Sequence, residues 1–419
     1  MHDTAVFERI LLDNGIPVWL QKSSIQLDYE GILIAVFNGV GSRLDPSDRY
    51  GIAHAFEHLP FRGTRTKPSM VEIREPLHAV GGTCGAGTSL EYTCYKVRAP
   101  EDFSTLAVET LYALTMEPLL RSDDIERERS VLYEEYKRLM SDEGARVWSE
   151  VLRALFSNHP LGHEVIGSLA TMETMTAGEL RSFHDQYYHC GTLQLICGGM
   201  FSRNSSAMLS LLNDSFGKLL QLETSRQPVS VDHALMPRGS VTINETRCRR
   251  DYLILSFPST LRNDRDRVIR PFLANVLANR PDDLLLKKLR DEMGIVYESH
   301  LCHFEHFRTA GMSLFQFFCP TDRSHFEKAL SAFYEALAEV TPDYIEKRKG
   351  EAQLLRRTGF THPISACEYA VSELTERGVL TSHSEDSELF DSLDPKEILA
   401  FRDELLNGEP FAVHIAPDQ

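Results

Sequence analysis

The hydrophobic pattern along this chain predicts short strands interleaved with longer helices. Ile10-Leu11-Leu12 and Val18-Trp19-Leu20 flank Asp13-Asn14-Gly15, a turn sequence that predicts a β-hairpin. Gly31 to Val40 is an apolar run of strand length, and a helix comes after it over His54 to His58. Val71 to Val80 reads as a second helix, stopped by Gly81-Gly82. Thr83 to Thr88 and Tyr92 to Ala99 are β-rich with period-two character, Phe103 to Leu114 and Ser122 to Met140 are helical, and Leu193 to Cys197 is a short buried strand.

The periodicity breaks near Glu223 to Gly239, where Ser225-Arg226-Gln227-Pro228 and Met236-Pro237-Arg238-Gly239 occur. The second half of the chain then begins like the first: Val241 to Asn244 and Tyr252 to Phe257 read as strands, with a helix from about Val268 to Leu277. This predicts a first domain over 1–222, a linker over 223–239 and a second domain over 240–419. Strands and helices in irregular order predict an α+β fold, with helices packed on one face of an antiparallel-rich sheet.

At 419 residues, two or more domains are expected, and a hydrophobic content of 42% is ample for their cores. Against 61 Asp and Glu stand 44 Lys and Arg, a formal charge of −17. Such acidity argues against a nucleic-acid or anionic-membrane partner. No stretch reaches the roughly 20 apolar residues that cross a bilayer, and the start, Met1 to Glu8, lacks the basic and apolar regions of a signal peptide. The eight cysteines are scattered without a C-x-x-C pair, which reads as buried thiols in a reducing cytoplasm.

Candidate chemistry concentrates in His54-Ala55-Phe56-Glu57-His58. Two histidines four apart on a helix share one face and can hold Zn2+. Glu57 sits beside the second of them, within reach of a water on the metal. Zinc lowers the pKa of such a water to about 7, and a carboxylate can then take its proton as a carbonyl is attacked. A solvated helix face would carry the same residues, so a third ligand matters. Glu128 and Glu135, seven apart, project from one side of the Ser122–Met140 helix, and either could turn toward the histidines. His300, His303 and His306 invite a second metal site, but a spacing of three on a strand scatters them over both faces.

The residues around the pentad, Gly41-Ser42-Arg43 and Gly51 through Thr64, resemble the signature of the pitrilysin family of zinc peptidases, whose pattern is H-x-x-E-H. Gly81 to Thr88 with Glu91, Thr93 and Tyr95 resembles the family's next block, and Glu128 to Glu135 its third, 77 residues separating His58 from Glu135. The resemblance implies two homologous α+β domains. It implies zinc held by His54, His58 and Glu135, with Glu57 as the base and Glu128 as a supporting acid. Leu289 to Tyr297 resembles the family's Arg and Tyr pair, which implies that Arg290 and Tyr297 touch the substrate near the scissile bond.

The expected activity is that of a zinc-dependent endopeptidase or oligopeptidase acting on an extended peptide. That peptide would pair with an exposed strand at Cys84, Gly85 and Ala86. The chain departs from the family at Gly85, where Asn is usual, and at Pro60 just after the metal helix. In full-length relatives the zinc and Arg/Tyr domains lie in opposite halves, so a homodimer, or a heterodimer with a homologous subunit, is expected to complete each site. A processing protease for one leader peptide and a non-catalytic peptide-binding subunit are the alternatives.

Overall fold

The computed structural model describes residues 6–22, 31–157, 159–199, 205–220, 237–245, 247–297, 300–359, 363–380 and 383–417. The expected linker lies outside them as far as residue 236. The chain forms two compact units. One comprises 1–139, 163–227 and 357–384, the other 140–162, 228–356 and 385–419.

The first unit is built on six strands: β1 (Val6–Leu11), β2 (Pro17–Lys22), β3 (Gly31–Asn38), β4 (Thr83–Thr88), β5 (Thr93–Pro100) and β6 (Leu193–Gly199). They lie in the order β1-β2-β6-β3-β5-β4, antiparallel except for the β2–β6 pair. Leu11 pairs with Pro17 across the turn that Asp13-Asn14-Gly15 makes, and Gly15 takes the positive φ of 86° that this turn requires. One face of the sheet, through Leu20, Ile34, Val36, Tyr95 and Val97, packs on the helices Ile52–His58, Met70–Ala79, Ser104–Met116 and Ala177–Tyr187. The reverse face, through Trp19, Leu33, Phe37 and Ile196, is covered by Cys367, Ala370, Val371 and Leu374 of the helix Pro363–Arg377. Burial on both faces explains why β3 is a continuous apolar run rather than an alternating one.

The second unit repeats this plan with β7 (Ser240–Asn244), β8 (Tyr252–Ser259), β9 (Cys302–Phe307), β10 (Met312–Pro320) and β11 (Phe411–Ala416), in the order β7-β11-β8-β10-β9. Again a single pair, β7–β11, is parallel. Leaving out β1, the two sheets have the same order and directions. The core face meets the helices Asp266–Ala278, Phe326–Ala338 and Pro395–Asn407. Trp148 of the helix Glu143–Leu155 packs on Phe318 with ring centroids 5.8 Å apart. His303 and His306 lie on β9 and His300 precedes it at a φ of 64°. Among the described residues, these histidines form no metal-binding group. No helix among them is long and apolar enough to cross a membrane.

Candidate metal centre

The pentad sits on the helix Ile52–His58, where every residue up to Glu57 is buried. A short buried helix needs its terminal N–H groups satisfied from elsewhere. Asp45, outside the helix, does this: its carboxylate accepts from Gly51 N at 2.6 Å and Ala53 N at 2.9 Å. Burial pushes the Asp45 carboxyl up to about 7, against the pull of those backbone donors. Gly51 has a φ of 103°, and a Cβ there would meet the Ile166 carbonyl oxygen at 2.6 Å. Gly167, at φ 77°, lies against Tyr50 and Gly51 in return, so glycine on both sides lets the two backbones touch.

The helical spacing brings the imidazoles of His54 and His58 within 4.7 Å, centroid to centroid. Their Nε2 atoms converge on one oxygen of Glu135, at 3.7 Å and 3.4 Å. For ligand distances near 2.1 Å, the edge of a zinc tetrahedron is about 3.4 Å. His58 Nδ1 faces Glu128 Oε1 at 2.9 Å. A proton on that nitrogen leaves the Nε2 lone pair pointing to the metal position, and the carboxylate fixes this tautomer. Glu128 is itself buried and ion-paired with Arg62; the hydrogen bonds from His58 and Arg62 outweigh burial and hold its carboxyl low. Burial, followed by the nearby His58, pushes His54 down to about 3. It is therefore neutral at physiological pH. His54 Nδ1 is buried with no hydrogen-bond partner among the described residues. The donor set fits zinc.

Two carboxylates compete for the third ligand position. His54, Glu57 and His58 offer donor atoms within 4.8 Å of one another, whereas Glu135 approaches both imidazoles more closely. Glu57 is engaged elsewhere, because Oε2 accepts the Thr88 hydroxyl at 2.8 Å. Burial raises its pKa, partly offset by that hydrogen bond. Glu135 thus lies against both imidazoles, and Glu57 lies beside them, held by Thr88.

Thr88 ends β4, the edge strand of its sheet. Cys84, Gly85 and Ala86 pair with Val97, Lys96 and Tyr95 of β5, and the other side of the strand has no neighbour in the sheet among the described residues. Alternation places Cys84 and Ala86 on the face of Thr88, with Gly85 and Gly87 on the other. Arg290 and Tyr297 belong to the second unit. Arg290 lies in a π-helical turn, Lys287–Glu292, beside Asp291 at 2.8 Å, and Tyr297 is 89% exposed. The residues that sequence reasoning passed over are Asp45, Arg62 and Thr88 as supports. An acidic residue shortly before a helix that lacks a capping side chain was the available signal for the first.

The model of the insulinase family, peptidase family M16, matches residues 31–169, and that of the peptidase M16 inactive domain matches 174–348. The chain belongs to this family of peptidases. A Mycobacterium leprae protein named as an uncharacterized zinc protease is 26% identical over 313 residues, 74% of this chain and 69% of that one. YmxG of Bacillus subtilis, named likewise, is 24% identical over 347 residues, 83% of this chain and 81% of its own. A protease from Helicobacter pylori superposes with a TM-score of 0.86 at 19% identity, over 99% of this chain and 100% of that one. Pitrilysin gives 0.76 at 19% identity, over 99% of this chain but 45% of its own. At these identities the structural likeness is one of fold.

Proposed function

We propose that this protein is a zinc-dependent endopeptidase that hydrolyses extended peptides. The observation that carries this reading is the convergence of His54 Nε2 and His58 Nε2 on Glu135 with a second carboxylate, Glu57, beside them and outside that contact. Zinc, when bound, polarises a peptide carbonyl and acidifies water. His54, His58 and Glu135 hold it. Glu57 accepts the proton of the attacking water and returns it to the leaving amine. Thr88 orients Glu57, and Glu128 orients His58. A peptide laid along β4 would pair its backbone with the open side of the strand, giving affinity without strong sequence demand.

The names of the relatives support zinc and proteolysis, and the eight free cysteines support a reducing, cytoplasmic setting. A homodimer or a heterodimer with a homologous subunit would bring Arg290 and Tyr297 to a zinc centre as donors for the developing oxyanion. The description of the match over 174–348 as an inactive domain favours a second reading, a non-catalytic peptide-binding subunit. The test is cleavage of a peptide library by the purified zinc-loaded chain, alone and with Glu57→Gln. Cuts that vanish in the variant are expected. Equal products from both would overturn the reading.

A further inference from the structure

The second unit contains a cavity of about 340 Å3 on one face of the helix Asp266–Ala278 and against the helix Pro342–Gly359. Its size falls in the range of small-ligand sites, about 300–1,000 Å3. Its position in the repeated fold is informative. β3 starts at Gly31 and β8 at Tyr252, 221 residues later, and the same step carries His54 to Asn275 and His58 to Asn279. The acidic helix starts at Ser122 and its counterpart at Pro342, 220 later, a step that carries Glu128 to Arg348. Asn275, Asn279 and Arg348 all line the cavity. It thus occupies, in the second unit, the place of the metal centre in the first.

The lining has lost the metal donors and kept a different chemistry. Asn279 donates its side-chain N–H to Asn275 Oδ1, and its own Oδ1 is a buried acceptor with no hydrogen-bond partner among the described residues. Arg348, 3% exposed, likewise has a buried Nε with no partner among them. Both guanidiniums are already paired: Arg348 meets Asp283 at 2.8 Å, Glu351 at 2.9 Å and the exposed Asp282 at 3.1 Å, and Arg280 meets the same Glu351 oxygen at 2.5 Å. Neither base is left unpaired to attract an anion. The remaining wall is apolar, with Phe272 and Phe390 packed edge to face 5.3 Å apart.

We propose that this cavity binds a short uncharged peptide segment. Asn279 Oδ1 accepts a backbone N–H, Arg348 Nε donates to a backbone carbonyl, and an aliphatic or aromatic side chain lies on the phenylalanine wall. One acceptor and one donor over an apolar surface are the complement of an amino-acid residue within a chain. The choice of a peptide rests in part on reading the first unit as a peptidase; the cavity and its unmet polar atoms do not.

Saturation-transfer NMR on the full chain, with N-acetyl-leucine amide as probe, tests it. Transfer to the leucine methyl protons is expected in the wild type. It should fall about tenfold in Asn279→Leu, the loss of one hydrogen bond near the upper end of its usual worth, and in Ala352→Phe, which fills the cavity. Melting curves identify a variant that fails to fold, and the other then decides. No transfer in the wild type, or equal transfer in folded variants, would overturn the proposal. So would N-acetyl-leucine binding tenfold more tightly than its amide, which would make the ligand a carboxylate. Probe binding is read apart from cleavage: a chain that binds the probe but cuts no peptide rejects the peptidase reading alone.

Discussion

The two units share a strand order, a helix after the second matched strand and an ion pair that ties this helix region to a later one, partly buried in the first unit and buried in the second, yet the pair is inverted. In the first unit Arg62 reaches Glu128, and in the second Asp283 reaches Arg348. The steps of 221 and 220 residues that match the strands and helices also match these four positions. In the first unit the acid faces the helix with the imidazoles and steers His58. In the second the base stands there, lining one cavity with the two asparagines. A guanidinium in the place of Glu128 repels a cation and accepts no proton from an imidazole. The scaffold therefore does not specify the chemistry; the side chains placed on it do, and the same steps carry His54, Glu57, His58 and Glu135 to Asn275, Ala278, Asn279 and Leu355.

The largest effect that could break this comparison is on turnover. Glu57→Gln should lower kcat by about 10²–10⁴-fold, the usual share of general acid–base catalysis, while zinc stays near one per chain by elemental analysis. His58→Ala should lose the zinc. The comparison is sharpened by placing both histidines in the second unit: Asn275→His with Asn279→His should leave the zinc content at one, because Arg348 occupies the place of the supporting acid and Leu355 that of Glu135. Two zinc ions per chain would show that the imidazoles alone decide.

Next in size is the buried pair itself. Asp283 is fully buried and accepts from the backbone N–H of Asn279 and Arg280 as well as facing Arg348. Asp283→Ala strands the two backbone donors, while Arg348 keeps Glu351 and Asp282; it should cost about 3 kcal/mol, at about 1–3 kcal/mol for each unmet donor, read from the denaturant midpoint. Arg62→Ala should cost less, since His58 remains to pair with Glu128. Equal costs would mean that the two pairs are held alike.

What could be read in the chain was local. The hairpin at Asn14-Gly15, the apolar run of β3 and the helix Ser122–Ser141 announce themselves within a few residues. So does the sharing of one helix face by His54 and His58, because 3.6 residues per turn fixes it. What needed the structure was nonlocal. Nothing near Cys367 or Leu374 reveals that their helix covers β3, more than 300 residues away. Asn275 and Asn279 look like the polar side of an amphipathic helix until the repeat lines them up with the histidines. Gly51 and Gly167 touch across 116 residues, a contact that neither segment signals alone.

A smaller effect concerns Asp45, whose carboxyl burial pushes up to about 7. A carboxyl whose folded value lies above its unfolded value of about 3.9 takes up a proton on folding. Its contribution is complete below pH 4 and is lost as the pH rises through about 7. The melting temperature should therefore fall more between pH 5.5 and 8.5 in the wild type than in Asp45→Asn. The variant should itself lose about 1 kcal/mol through the weaker cap. Parallel melting curves in the two proteins would remove Asp45 as the titrating group.

The smallest effect tests the edge strand. Gly85 pairs with Lys96, and a Cβ added there meets nothing within 4 Å. Its backbone is not among those with positive φ, so glycine is not required by the fold. Gly85→Asn should leave stability within about 0.5 kcal/mol, as surface changes usually do. The family usually carries Asn at this position, and its amide would add one donor and one acceptor to the open side of β4. If a peptide lies there, KM should fall up to about tenfold, the worth of one neutral hydrogen bond, with kcat little changed because ground state and transition state gain alike. A change in kcat alone would mean that Asn acts at the reacting centre. No change in either constant, in a folded variant, would move the peptide off this strand. The matched strand β9 gives the contrast: it too is the edge of its sheet, but it carries His303, Glu305 and His306 where β4 has small residues, so it is bulky where β4 is bare.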